Sequence, residues 1–324
     1  MIATWLIGNG LLGKGVVRRS VRGQMWRPET PTPWGSRDQV DSWFQAVASE
    51  FFGERGTGEW AVAWCAGAGV VGSPAATFDL EVTAFGSMLR AVGAYATSPG
   101  KVFLSSSIGA IHGGATAPPF TEDSPRVPIS HYGTARALQE DLLREWCEST
   151  GHDGVIGRIT NLYGPGQRLG KTQGLISQVC KSSLLRQPIR LYVSLDTTRD
   201  YLYVDDAGEM VLSLLGEPPS KDGGMVTIRI LGSGASITVG GVLQVCERVL
   251  RRPLRMITVQ SDLSNLQSSD LRVRPRAPIP LVSGLTALPV GVRRTFDDQL
   301  RQFQRGLLST LDVSGSKGAG TRSA

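Results

Sequence analysis

A short apolar segment that runs into Gly8-Asn9-Gly10-Leu11-Leu12-Gly13 leaves this chain few options. Ala3 to Ile7 suits a buried strand, and Leu11 to Val21 reads as a helix carrying basic residues. Between them, Gly-x-Gly-x-x-Gly gives a tight turn, a close backbone approach and close helix–strand packing, one for each glycine. The helix N-terminus then offers free N–H groups and a positive dipole end, which suit a pyrophosphate. A glycine-rich turn with no ligand is the plain alternative. The strand-then-helix context favours dinucleotide binding over it.

The rest of the first half alternates strand and helix. Gln24 to Arg27 reads as a short second strand, and Glu29 to Ser36, with Pro31 and Pro33, as a loop. Arg37 to Phe52 is a helix, with Val40, Trp43, Phe44, Val47 and Phe51 at helical spacing. Ala61 to Cys65 and Lys101 to Ser105 are strands, with a helix over Phe78 to Ala96 between them. Tyr132 to Cys147 is a helix with Leu138, Leu142 and Trp146 on one face, and Gly154 to Ile159 is a strand. Strands apolar throughout need cover on both faces. The expected class is therefore α/β: a Rossmann-like, doubly wound parallel sheet with a smaller C-terminal substrate lobe. Residues 1–164 are assigned to the dinucleotide-binding domain, with interleaved later segments from about 190–235. Residues 165–313 are assigned mainly to the substrate lobe, and the Gly/Ser/Lys-rich 314–324 to a disordered tail.

Composition narrows the classes. With 324 residues, 41% hydrophobic and 19% charged, the chain is globular, not a disordered, collagen-like or coiled-coil sequence. Its longest apolar run, Trp60 to Gly72, contains three glycines and is too short to span a bilayer, so no membrane partner is expected. No basic region precedes the first apolar stretch, and no signal peptide is read there. Cys65, Cys147, Cys180 and Cys246 show neither metal nor Cys-x-x-Cys spacing, which fits a reduced, cytoplasmic setting. His112, His131 and His152 are too scattered for a zinc site, so no metal is assigned. The net charge of +6 is carried mostly by arginine without a long basic block, which nucleic acid or anionic small molecules would explain equally well; the expected partner is a small molecule, with no nucleic acid.

The dinucleotide is read as NADP or NAD. An NAD site places an acid after the second strand. Here that strand ends in Arg27, with Arg18, Arg19 and Arg22 nearby and Glu29 as the one acid close by. A guanidinium suits a 2′-phosphate, which favours NADP. Arginines on a solvated helix face are the alternative.

Two further segments carry chemistry. Lys101 to Ser107 is a strand running into Ser105, Ser106 and Ser107, and ligands of doubly wound sheets bind beyond the carboxyl ends of strands. Tyr132 and Arg136 lie four apart, on one helix face.

With these segments, the chain resembles the extended short-chain dehydrogenase/reductases, specifically the NAD-dependent epimerase/dehydratase family acting on nucleotide sugars. The resemblance runs from Ile2 to about Arg305. It rests also on Cys65-Ala66-Gly67-Ala68, on Glu81 to Ala91, on Arg158-Ile159-Thr160-Asn161-Leu162-Tyr163-Gly164-Pro165-Gly166, and on Arg199-Asp200-Tyr201-Leu202-Tyr203-Val204-Asp205-Asp206. It implies hydride transfer with a nicotinamide, and Tyr132 giving or taking the proton at the substrate oxygen. Arg136 would supply the neighbouring cation that a phenol of ordinary pKa near 10 needs to act as a base. Ser107, at the strand end, would bond the substrate oxygen, with Ser106 as the fallback. The cofactor would meet Gly8 to Gly13, Arg27, Cys65, Ala66, Gly67, Tyr132 and Arg136, and the substrate Ser107, Asn161 and Arg199. An ion pair of Arg199 with Asp200, Asp205 or Asp206, and a turn cap by Asn161, are the plainer readings. The resemblance also implies a homodimer.

Three positions depart from the family pattern. Arg136 stands where the family has lysine; it keeps the charge but does not readily release a proton. Ile7 stands where a glycine is usual, and Val193-Ser194-Leu195-Asp196 replaces Gly-Asp-Gly. The expected function is an NAD(P)-dependent epimerase or 4-ketoreductase of a nucleotide-activated sugar. The alternatives are a catalytically weak dinucleotide-binding sensor or scaffold, and a reductase of a non-sugar carbonyl.

Overall fold

The computed structural model describes residues 2–55, 58–69, 72–167, 174–259, 268–279, 281–282 and 284–307. The expected tail at 314–324 lies outside them. The first half runs β1 (Ala3–Ile7), α1 (Leu11–Arg19), β2 (Met25–Trp26), α2 (Arg37–Arg55), β3 (Trp60–Trp64), α3 (Ala75–Tyr95), β4 (Gly100–Ser107), α4 (Ile108–Ile111), α5 (His131–Thr150) and β5 (Asp153–Ile159). The second half continues with β6 (Asn161–Tyr163), α6 (Leu175–Leu185), β7 (Ile189–Leu191), β8 (Thr198–Tyr203), α7 (Val204–Gly216) and β9 (Val226–Leu231). It closes with β10 (Ser236–Thr238), α8 (Val239–Leu250), β11 (Met256–Thr258), β12 (Asp270–Leu271) and α9 (Leu288–Gln304).

The central sheet has six strands in the order β2-β1-β3-β4-β5-β9, all parallel. The order in which strands are added reverses between β1 and β3, which places a crevice beyond the carboxyl ends of those strands. Side chains alternate between the faces. Trp5, Ile7, Trp64, Val102 and Leu104 pack under α2, α3 and α5 with Phe44, Phe51, Phe85 and Met88. Leu6, Ala63, Phe103 and Val155 pack under α1 and α7 with Leu12, Val16, Met210 and Leu214. A separate core of Ile176, Val179, Tyr203, Val242, Leu243 and Val292 joins α6, β8, α8 and α9 into the smaller lobe. Short strands β6, β8, β10 and β12 form the sheet of that region, with β8 pairing three neighbours.

Helix ends follow local chemistry. The Ser130 hydroxyl accepts the Gly133 N–H to start α5, and Gly151, at φ 74°, ends it. All four cysteines are unpaired and buried; burial pushes the Cys65, Cys147 and Cys246 thiols up to about 12 and raises Cys180 as well. Among the described residues no helix is long and apolar enough to cross a membrane.

Helices α1 and α7 cross with backbones in contact. A Cβ on Gly208 would lie 2.5 Å from the Gly15 carbonyl oxygen and 2.8 Å from the Val16 nitrogen. Alanine is the better helix former, by about 1 kcal/mol. Even so, Gly208→Ala is expected to lower stability by about 1–3 kcal/mol, since the added methyl has nowhere to go. The midpoint of urea unfolding checks this.

Candidate active site

One cavity of about 1160 Å³ opens beyond the carboxyl ends of β1, β3 and β4. On its first wall, Gly8, Asn9, Gly10 and Leu11 line the space while Leu12 and Gly13 are buried behind them. Gly8 has φ 104°, and a Cβ there would sit 2.6 Å from the Cys65 carbonyl carbon. A Cβ on Gly13 would collide with the Gly8 carbonyl, whereas one on Gly10 would meet nothing within 4 Å. Helix α1 begins at Gly10 with no side-chain cap and no acid in its first turn. Its orphan N–H groups are thus left for an anion, and this cradle fits a dinucleotide pyrophosphate.

Other expected cofactor residues divide. Cys65, Ala66 and Gly67 follow β3 and line the cavity. Arg27 is exposed just past β2 and off the cavity wall, near enough to Cys65 to oppose part of the burial shift on its thiol. Arg18 donates to Asp205 at 2.6 Å and Arg19 to Glu209, so both tie α1 to α7. Lys14, Trp34 and Glu81 also line the space. The sequence reading passed over all three, although Lys14 follows Gly10 by four residues and thus shares its face.

Ser107 and Tyr132 both line the cavity. Ser107 ends β4 and accepts the Ala110 N–H at 3.4 Å, starting α4. Ser106 points to the other face, where its hydroxyl donates to Glu140 at 2.7 Å. Arg136 is buried and off the wall: its Nη1 donates to Gln139 at 2.7 Å and its Nη2 to Glu81 at 3.3 Å. Its guanidinium carbon lies 5.2 Å from the Tyr132 ring centroid, over the ring.

Beneath these groups lies a buried ionic cluster. The Glu140 carboxylate, fully buried, takes Arg158 Nε at 3.0 Å and Nη2 at 2.8 Å in addition to Ser106. Arg158 Nη1 also donates to the Glu122 carbonyl at 3.2 Å. His112 stacks on Phe120, bonds the Pro125 carbonyl through Nδ1 at 2.9 Å, and is held by burial below the usual imidazole range. His131 is exposed at the start of α5. Among the described residues no group of His, Cys, Asp and Glu could hold a metal ion.

The second lobe supplies the far wall, with Asn161, Lys181, Arg190, Tyr192 and Arg199. Asn161 Nδ2 donates to the Asp200 carbonyl at 3.0 Å. Buried Arg199 donates to the Thr198 carbonyl at 2.9 Å and the Ser268 carbonyl at 2.6 Å. Asp200, Asp205 and Asp206 are occupied elsewhere, by Ser233 and Thr160, by Arg18 and by Thr286. Arg199 therefore brings to the cavity a charge that, among the described residues, no carboxylate takes in a hydrogen bond.

Known proteins resemble this chain in sequence and in fold. The sequence profile described as "NAD dependent epimerase/dehydratase family" matches residues 61–228. A dTDP-4-dehydro-6-deoxyglucose reductase of Escherichia coli is 30% identical over 152 residues, 47% of this chain and 46% of that protein. A UDP-glucose 4-epimerase of Azospirillum brasilense is 31% identical over 158 residues, 44% of each. The matches thus span about half the length of these relatives. In three dimensions, RMD from Pseudomonas aeruginosa, solved with NADPH, covers 93% of this chain and all of that one, with a TM-score of 0.71 at 18% identity. A Thermus thermophilus UDP-glucose 4-epimerase solved with NAD gives a TM-score of 0.70 at 21% identity, covering 92% of this chain and 98% of that one. At such identities the likeness shows the fold alone.

Breaking the buried cluster tests its part in holding the site. Glu140→Ala leaves the Arg158 guanidinium charged, unpaired and 2% exposed. A loss of about 3–5 kcal/mol in chemical unfolding is expected, larger than for truncating an exposed pair such as Arg90–Asp41.

Proposed function

The chain belongs to the NAD-dependent epimerase/dehydratase family, and from that premise we propose that it transfers hydride at a carbonyl or hydroxyl carbon of a nucleotide-activated sugar, by ketone reduction or by epimerisation. One observation carries the reading. A single cavity is lined by the glycine cradle, by Ser107 and Tyr132, and by Arg199 of the second lobe, whose hydrogen bonds go to backbone carbonyls.

The roles follow from placement. Gly8, Asn9, Gly10 and Leu11 hold the pyrophosphate of NADP or NAD, with Cys65, Ala66 and Gly67 beside it; bound there, the nicotinamide supplies or takes the hydride. Arg27, past the end of β2, favours NADP. Tyr132 Oη gives or takes the proton at the substrate oxygen. Ser107 Oγ donates a hydrogen bond to that oxygen and stabilises the charge that develops on it. Arg199 pairs with the substrate diphosphate, and Asn161 lies beside it on β6. Arg136 acts from behind the wall, through Tyr132. The protein works as a homodimer in an aqueous compartment.

Two measurements test this. Titration with NADPH and NADH is expected to show binding of both, tighter for NADPH, with Arg27→Ala removing most of the preference. Binding of neither would overturn the reading. With a nucleotide-linked 4-ketosugar and NADPH, Tyr132→Phe is expected to lower kcat by about 10²–10⁴-fold with the dinucleotide still bound. Unchanged turnover would remove Tyr132 from the chemistry.

A further inference from the structure

Glu81 is the carboxylate on the cavity wall, and the roles above leave it unused. It reaches the wall from α3, and its side chain is 13% exposed. Its Oε1 accepts the N–H groups of Ala68 at 2.6 Å and Gly69 at 2.7 Å, holding the segment that follows β3. Its Oε2 accepts Arg136 Nη2 at 3.3 Å. The loop closes through Gln139, which takes Arg136 Nη1 and donates its own amide to the Glu81 carbonyl at 3.3 Å. Gly67 leaves the passage open, since a Cβ there would collide with the Arg136 guanidinium.

This arrangement decides what Tyr132 feels. A lone guanidinium over a phenol favours the phenolate. Here the guanidinium is 6% exposed and directly paired, so water screens neither partner well. The cation over the Tyr132 ring thus already carries a carboxylate partner. The other groups about it are Phe78 from α3, with ring centroids 5.9 Å apart, Ser107 at the end of β4, and exposed His131 beside it on α5. The remaining cations on the cavity wall are Lys14, Lys181, Arg190 and Arg199, carried by α1 and the second lobe.

We propose that Glu81 is a positioning residue that offsets the charge of Arg136 felt by Tyr132, so that the hydroxyl holds its proton more firmly than it would beside a lone cation. This rests on the role given to Tyr132 above, and it suits the site to giving a proton, the step that ketone reduction asks of it. In a reduction, a hydride adds to the carbonyl carbon and the C=O electron pair moves onto oxygen. That oxygen takes the proton of Tyr132 Oη, which water then replaces. The reduced nicotinamide is the hydride source and is oxidised. An epimerisation starts from the alcohol, whose proton a phenolate must already be free to accept.

The test needs neither cofactor nor substrate. The full chain is labelled with [ζ-13C]tyrosine and titrated by NMR, and the Tyr132 signal is assigned as the one lost in Tyr132→Phe. In Glu81→Gln, which keeps an oxygen for the Ala68 and Gly69 N–H groups, the Tyr132 titration midpoint is expected to fall by about one pH unit. In the double variant Glu81→Gln/Arg136→Met, which removes both charges together, it is expected to stay within about 0.3 pH units of wild type. A single variant that titrates like wild type overturns the proposal. So does a double variant whose midpoint rises by about one unit, since Arg136 would then have acted uncompensated. In the presence of NADPH and a nucleotide-linked ketosugar, the alkaline limb of the kcat/KM profile is expected to move down with the NMR midpoint. Absence of any turnover would count against the nucleotide-sugar reading and leave the titration result standing.

Discussion

Contact of bare backbone with bare backbone organises this molecule. Gly8 and Gly13 let α1 start close behind the end of β1, against the Cys65–Ala66 segment. Gly15 and Gly208 then let α7 lie on α1 without intervening side chains. Because α7 follows directly from β8, the position of α1 also fixes β8, and with it Arg199 and Tyr201 on the far cavity wall. Lys14 reinforces the join by donating to the Gly166 carbonyl at 3.4 Å, and Arg18 and Arg19 do so through α7. The glycine turn is therefore also the hinge-pin that sets the two cavity walls at a fixed distance.

Much of the sheet was legible because the inner strands β1 and β3 are buried on both faces and read as near-continuous apolar runs, whereas the edge strands β2 and β9 are mostly half-buried. Boundaries moved where a partner outweighed propensity. The serines suggested that β4 stops at Ser105, yet Ser105, Ser106 and Ser107 pair with Gly157, Arg158 and Ile159 of β5 and carry the strand on. Helix α3 starts at Ala75, three residues ahead of the apolar signal at Phe78, because Pro74 precedes it and fits a helix start. Helix α5 runs past Cys147 through polar Glu148, Ser149 and Thr150 until Gly151 turns it. The small strands of the second lobe are two to six residues long and leave too little periodicity to read.

The site was legible where spacing is local and opaque where it is not. Glycine turn, strand-end serines and the Tyr132 helix all speak through neighbours within four residues. Alternation along β4 separates Ser106 from Ser107, since consecutive strand residues face opposite ways; one enters the Glu140 cluster and the other the cavity. Arg136 alone in the sequence reads as a cation beside a tyrosine. Its partner Glu81 lies 55 residues earlier, on another helix, and no local pattern announces that pairing. Separation in sequence also hid Trp34, which reaches the wall from a proline-rich loop and packs edge-on against Trp64.

The four buried thiols have a consequence for handling the protein. The thiolate, not the thiol, reacts with alkylating agents and oxidants, and burial suppresses the thiolate at every cysteine. The cysteines are spread from β3 through α5 and α6 to α8, so they sample both lobes. Burial therefore slows thiol reagents in the folded molecule, although Cys65 also lines the cavity. A modified Cys147, Cys180 or Cys246 in a mass spectrum becomes a time-stamped record of which part of the fold had opened.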